Sequence, residues 1–205
     1  MSFDIFFIAS LIGGVAFALS GFLVGVRKNL DVMGVFILSF LTANGGGILR
    51  DLFIGKTPYA LTDLTGFLIV LSVFVLSTLV FRFKDASVEG RGLFVVCDSI
   101  GLAAFSLTGA LAGIEAGLSV FGVTVLSFIT ATGGGILRDV IVNEEPSILK
   151  SDFYGSVAII VALAVYGLHT FGLDNDFNIM AVFFGSLLIR LIAFRMRWHL
   201  PRLKF

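Results

Sequence analysis

The segment TANGGGILRDLF, which starts at Thr42, returns as TATGGGILRDVI at Thr130, and no other feature of the chain constrains its fold as tightly. At a constant offset of 88 and without a gap, residues 16–61 and 104–149 agree at 24 of 46 positions. The agreement takes in AFALSGFLVG against AFSLTGALAG and Pro58 against Pro146; the offset then becomes 89, which sets Asp63 and Gly66 opposite Asp152 and Gly155. Such a duplication means one structural unit built twice, the copies related by a pseudo-two-fold axis.

The unit is too apolar for water. Hydrophobic residues make up 58% of the 205-residue chain and charged residues 14%, with a mean hydropathy of +1.06, against roughly 45–50% apolar content in a soluble domain. A bilayer span needs about 20 apolar residues, and seven are expected, at about 4–26, 31–54, 60–81, 93–114, 118–142, 153–172 and 177–194. The fold class is therefore an all-α polytopic membrane protein in a single transmembrane domain: repeat 1 over about 4–81, repeat 2 over about 93–172, an extra helix over about 177–194 and a basic tail over 195–205. Its connections are too short for an appended catalytic domain. The opening MSFD carries no basic leader, so the first span is expected to stay in the mature protein. Cys97 is the single cysteine, which excludes an intrachain disulfide and a cysteine metal cluster.

Three spans per copy is an odd number, so the second copy enters the membrane from the opposite face. The pair then forms an inverted-topology repeat, an arrangement that places a substrate or ion site near the bilayer midplane. Alternating the loops puts Arg27, Lys28, Arg82, Lys84, Arg91, Arg138, Lys150, Arg190, Arg195, Arg197, Arg202 and Lys204 on one side and Arg50 and Lys56 on the other. By the positive-inside rule the N-terminus faces outward and the C-terminus lies in the cytoplasm. The tail RMRWHLPRLKF then meets anionic headgroups with Trp198 as an interfacial anchor, and membrane lipids rather than nucleic acid are its expected partners.

Each interior glycine costs a helix about 0.8–1 kcal/mol relative to alanine, so the triplets Gly45, Gly46, Gly47 and Gly133, Gly134, Gly135 need an offsetting role. One role is close packing, for which Gly21/Gly25 and Gly109/Gly113 already have the small-xxx-small spacing. The other is a break or kink that releases backbone groups toward an ion pathway near the midplane. Three adjacent glycines point around most of a turn, more than one packing face needs, and so favour the break. Ile48-Leu49 and Ile136-Leu137 stand where a phosphate loop would carry its lysine and hydroxyl.

Arg50 and Asp51, with Arg138 and Asp139, follow the two triplets and are expected near opposite membrane boundaries. They read either as interfacial charges that snorkel to water or as gate or vestibule charges. Adjacent helix residues diverge by about 100°, so each Arg is expected to pair with another helix rather than with its neighbouring Asp. Asp98 and Arg190 lie inside their spans, where a charge is costly and functional by default, against the alternative that they pair with each other or with Arg138 and Asp139 as a structural lock. Ser20, Ser39 and Thr42, with their counterparts Thr108, Ser127 and Thr130, are candidate polar lining, against the alternative that each hydroxyl bonds its own backbone. His169 and His199 are isolated, and no nucleophile–base pair or metal-ligand set is present, so neither an enzyme nor a cofactor is expected.

The duplicated GGGILRD, the AFALSG and AFSLTG segments and the closing RLIAFRMRWHLP resemble the prokaryotic branch of the trimeric intracellular cation (TRIC) channel family, whose bacterial members are also described as glycine transporters. The resemblance spans nearly the whole chain and implies the inner membrane of a bacterial or archaeal cell. It implies two inverted helix triplets plus a seventh helix, a homotrimer, and a potassium-permeable path for monovalent cations inside each protomer between the glycine-broken second and fifth spans. The alternative it leaves open is a secondary transporter of a small zwitterion such as glycine.

Overall fold

A computed structural model describes residues 3–81, 86–150, 153–196 and 198. Among them the helices run α1 (Phe3–Arg27), α2 (Val32–Phe53), α3 (Tyr59–Thr62), α4 (Thr65–Phe81), α5 (Ala86–Glu115), α6 (Val120–Ile141), α7 (Ser147–Lys150), α8 (Tyr154–Thr170) and α9 (Asp176–Arg195). Five of these, α1, α2, α5, α6 and α9, contain stretches long and apolar enough to cross a membrane. The 17-residue α4 and α8 are equally apolar but reach only about 25 Å at 1.5 Å per residue. The expected span at 60–81 is thus divided into α3 and α4 by an extended Asp63, whose carboxylate accepts the Thr65 N–H at 2.6 Å. Arg82, Lys84, Asp152, Arg197 and residues 199–205, which carry much of the expected charge asymmetry and the basic tail, lie outside the described residues.

The local signals recur in register. Asp31 caps α2 by accepting the Gly34 N–H, and Ser119, its counterpart, caps α6 at Gly122. The left-handed residue after α1 is Asn29 and after α5 is Gly117; after α2 it is Gly55 and after α6 it is Asn143. Asn and Gly exchange places between the copies because both tolerate positive φ. Pro58 and Pro146 open the four-residue helices α3 and α7.

Long central helices α1 and α5 pack on each other, α2 leans on α1, α6 on α5, and α2 and α6 cross. Helix α4 covers the first pair, α8 the second, and α9 packs on α8 and α5. The packing is reciprocal. A Cβ on Gly13 would meet Phe105 and one on Gly101 would meet Phe17, and these two rings lie 5.2 Å apart. A Cβ on Gly21 would sit 2.8 Å from Ser39 Cα, and one on Gly109 2.7 Å from Ser127 Cα, so the small-xxx-small pairs close α1 onto α2 and α5 onto α6 as their spacing implies.

The glycine triplets do not break their helices. Both α2 and α6 run as uninterrupted 22-residue α-helices through Gly45–Gly47 and Gly133–Gly135. What they permit is contact: a Cβ on Gly46 would lie 2.1 Å from the Thr130 carbonyl oxygen, and one on Gly134 2.1 Å from that of Thr42. Gly45 and Gly133 face each other's partners in the same way, through Leu137 and Leu49. Each middle glycine therefore turns a Cα hydrogen toward a carbonyl of the other helix, a recurring weak bond worth about 0.5–1 kcal/mol. The propensity cost is offset by a backbone-to-backbone crossing that no side chain would allow.

Candidate functional site

Both Arg-Asp pairs sit just beyond this crossing, and both are buried rather than snorkelling. Arg50 is 7% exposed and Arg138 fully enclosed. Each Arg folds onto its neighbour, where a partner on another helix is expected, although Arg138 also has such a partner in Asp98 of α5: Arg50 Nε donates to Asp51 Oδ1 at 2.8 Å, and Arg138 Nε to Asp139 Oδ1 at 2.8 Å. The guanidinium is long enough to lap back over the angle between adjacent residues. The second carboxylate oxygen of each Asp accepts the first N–H of the short helix that follows, Tyr59 at 2.9 Å and Ser147 at 2.7 Å. The pair thereby ties α2 to α3 and α6 to α7, and removes two orphan donors. Each guanidinium also lies over a phenylalanine of a central helix, Arg50 over Phe6 at 5.1 Å and Arg138 over Phe94 at 4.8 Å. Phe6 and Phe94 stand 88 apart but precede the strongly matching segment, so the repeat alignment passes over them.

Beyond this shared frame the two ends differ. Arg138 Nη1 donates to Asp98 Oδ1 at 2.7 Å and also to the Ser20 hydroxyl. Arg190 stacks on Tyr154, 5.0 Å from the ring centroid, and the Tyr154 hydroxyl approaches Gly135. Asp98, Arg138, Asp139 and Arg190 are all buried and gather α5, α6 and α9 around one cluster. At the other end, no hydrogen bond among the described residues engages Arg50 Nη1. A cavity of about 770 Å³ opens there instead, lined by Phe6, Ser10, Asn44, Gly47, Arg50 and Asp51 and floored by Ala43 and Phe105 near the crossing.

Ion pairs join the two copies at both ends. Lys56 reaches Glu115 at 3.3 Å beside the cavity mouth, while Arg27 and Lys28 reach Glu144 at 3.0 and 2.7 Å at the closed end. Residue 27 corresponds to 115 and 56 to 144, so the two bridges are repeat mates with their charges exchanged. His169, isolated in the sequence, meets Asp174 at 2.7 Å at the mouth, and that hydrogen bond holds the Asp174 carboxyl below its ordinary value.

The candidate hydroxyls are all buried, and most turn inward to carbonyls of their own helix: Ser39 to Val35, Thr42 to Leu38, Thr108 to Phe105 and Thr130 to Leu126. Ser127 instead bridges to carbonyls of Ser106 and Ala158, and Ser20 serves Arg138. None of these six lines the cavity. Its uncharged polar wall comes from Ser10, Asn44, Thr57, Tyr59, Thr62 and Thr65, none of them a position at which the two copies carry the same residue.

A family model described as glycine transporter matches the chain in two stretches, 7–84 and 95–170, whose starts are again 88 apart. The chain is 34% identical to the UPF0126 membrane protein YvgT of Bacillus subtilis (strain 168), over 96% of this chain and 95% of that one. Among solved structures it is similar to a prokaryotic TRIC channel crystallised in 0.5 M KCl, with a TM-score of 0.89 and 28% identity over 97% of this chain and all of the other. A second TRIC cation channel, solved to explain conductance, shares 37% identity at a TM-score of 0.83, covering 100% of this chain and 98% of that one.

Proposed function

Because this chain belongs to the glycine transporter family, the family of the prokaryotic TRIC channels, we propose that it is a potassium-permeable monovalent cation channel with a path inside each protomer. The observation that carries this reading is the cavity, which descends beside α2 from a charged mouth to the Phe105 ring at the glycine crossing. In this reading α1, α2 and α4 form one membrane triplet, α5, α6 and α8 the inverted second, and α9 the seventh span. The reciprocal contacts of Gly46 with Thr130 and Gly134 with Thr42 support such an axis through the crossing. The conformation is closed: Phe17 and Phe105 fill the centre, and the Arg138–Asp98–Ser20 cluster seals the far end. Opening requires Arg138 and Asp98 to part and water to enter between α5 and α6, which makes them the gate and Arg50 with Asp51 the vestibule charges. The protein acts as a homotrimer in the cell membrane, N-terminus outward and C-terminus cytoplasmic.

A second reading, carriage of a small zwitterion such as glycine, is favoured by the size of the cavity and by its guanidinium and carboxylate lining. Single-channel recording of the purified protein in bilayers, beside glycine uptake into liposomes, tests the two. Unitary potassium currents support the channel; saturable glycine uptake without unitary currents overturns it.

A further inference from the structure

The two ends of the molecule repeat one guanidinium site with a single exchange. Arg138 rests on Phe94, bonds Asp139 through Nε and gives Nη1 to Asp98. Arg50 rests on Phe6, bonds Asp51 through Nε and lies on the cavity with Nη1 unengaged among the described residues. Asp98 is four residues beyond Phe94, one helical turn, and the residue four beyond Phe6 is Ser10. Where the closed end carries a carboxylate, the open end carries a hydroxyl and a cavity.

We propose that this cavity binds a small monocarboxylate from solution, held between Arg50 Nη1 and the Ser10 hydroxyl in the place that Asp98 occupies at the other end. The Ser10 hydroxyl is shielded from solvent and has no hydrogen-bond partner among the described residues, and Ser10 lines the cavity. The Arg50 side chain is 91% buried, being 9% exposed, and its neutralising partner among the described residues is Asp51. Nη1 and the Ser10 hydroxyl are thus two donors left for two carboxylate oxygens. A carboxylate there completes around Arg50 the set of partners that Asp139 and Asp98 complete around Arg138, and Lys56, paired with Glu115, stands at the mouth. A dianion meets the Asp51 carboxylate as an added repulsion, and a bare ammonium finds the guanidinium in its way. The site stands whether the solute that crosses the protein is a cation or a zwitterion, since it requires occupancy alone.

The test is thermal unfolding of the full-length protein in detergent, titrated at constant ionic strength with acetate, glycine, methylammonium or chloride. Acetate is expected to raise the melting temperature saturably, with glycine acting through the same carboxylate, and methylammonium and chloride doing neither. Ser10→Ala removes one charge-assisted hydrogen bond and is expected to weaken acetate about tenfold or more. Ser10→Asp supplies the missing carboxylate from the chain: its melting temperature without ligand is expected to exceed that of the wild type, and acetate is expected to have no further effect. The proposal is overturned if acetate produces no saturable shift, if chloride or methylammonium matches it, or if Ser10→Asp fails to fold or still responds to acetate as the wild type does.

Discussion

Substitution of adjacent glycines in one triplet separates a packing role from a backbone-opening role. In Gly46→Ala the new Cβ lies 2.1 Å from the Thr130 carbonyl oxygen, where a carbon–oxygen contact needs about 3.3 Å even when hydrogen-bonded. The obstacle is backbone, so α2 and α6 must move apart by about 1 Å. Overpacking of this kind costs about 1–3 kcal/mol, the lost Cα–H contact about 0.5–1 more, and alanine returns up to about 1 in helix propensity. In Gly47→Ala the nearest atom is the Arg50 Nη2 at 3.9 Å, an ordinary contact, so only the propensity gain of up to about 1 kcal/mol remains. The two variants are therefore expected to differ by about 2–3 kcal/mol, with Gly47→Ala at or above wild type and Gly46→Ala below it. Gly134→Ala should behave like Gly46→Ala, since Thr42 presents the same 2.1 Å obstacle. Thermal unfolding in detergent with size-exclusion chromatography measures both stability and assembly. A Gly46→Ala protein that melts with Gly47→Ala, or above the wild type, refutes the packing argument and returns the triplet to an opened backbone.

Three further outcomes follow from the site. Asp98→Ala leaves the enclosed Arg138 guanidinium short of a carboxylate and is expected to cost about 3–5 kcal/mol by denaturant unfolding, while loosening the closed end enough to raise potassium flux in liposomes; unchanged stability and flux count against the cluster as a seal. Cysteines placed at Lys56 and at Glu144 are expected to react with an impermeant thiol reagent from opposite faces of the membrane, and labelling of both from one face removes the inverted arrangement. The Glu144 carboxyl is held below its ordinary value of 4.5 by its bond to Lys28 and then by the charge of Arg27. Its contribution is therefore present above that value and lost as pH falls through the lower folded one, so the acid-induced drop in melting temperature should shrink in Glu144→Gln.

The sequence by itself determined the duplication, the apolar helices and their order, because hydropathy and a constant offset are properties of residues taken along the chain. It also determined the packing of Gly21 with Gly25 and of Gly109 with Gly113, since that face is written in one helix's own spacing. The state of the triplets was not legible: helix propensity counts the cost of Gly46 in an isolated helix, whereas the Thr130 carbonyl that compensates it belongs to another helix 84 residues away. The Arg-Asp pairs were visible as candidates and invisible as unlike sites. Their motif is letter-for-letter the same in both copies, and what distinguishes them, Ser10 against Asp98, lies on a different helix and before the segment where the repeat is strong. Only the tertiary structure brings residue 98 to Arg138 and opens a cavity at Arg50, because whether a buried charge is sealed or accessible depends on what packing carries to it through space.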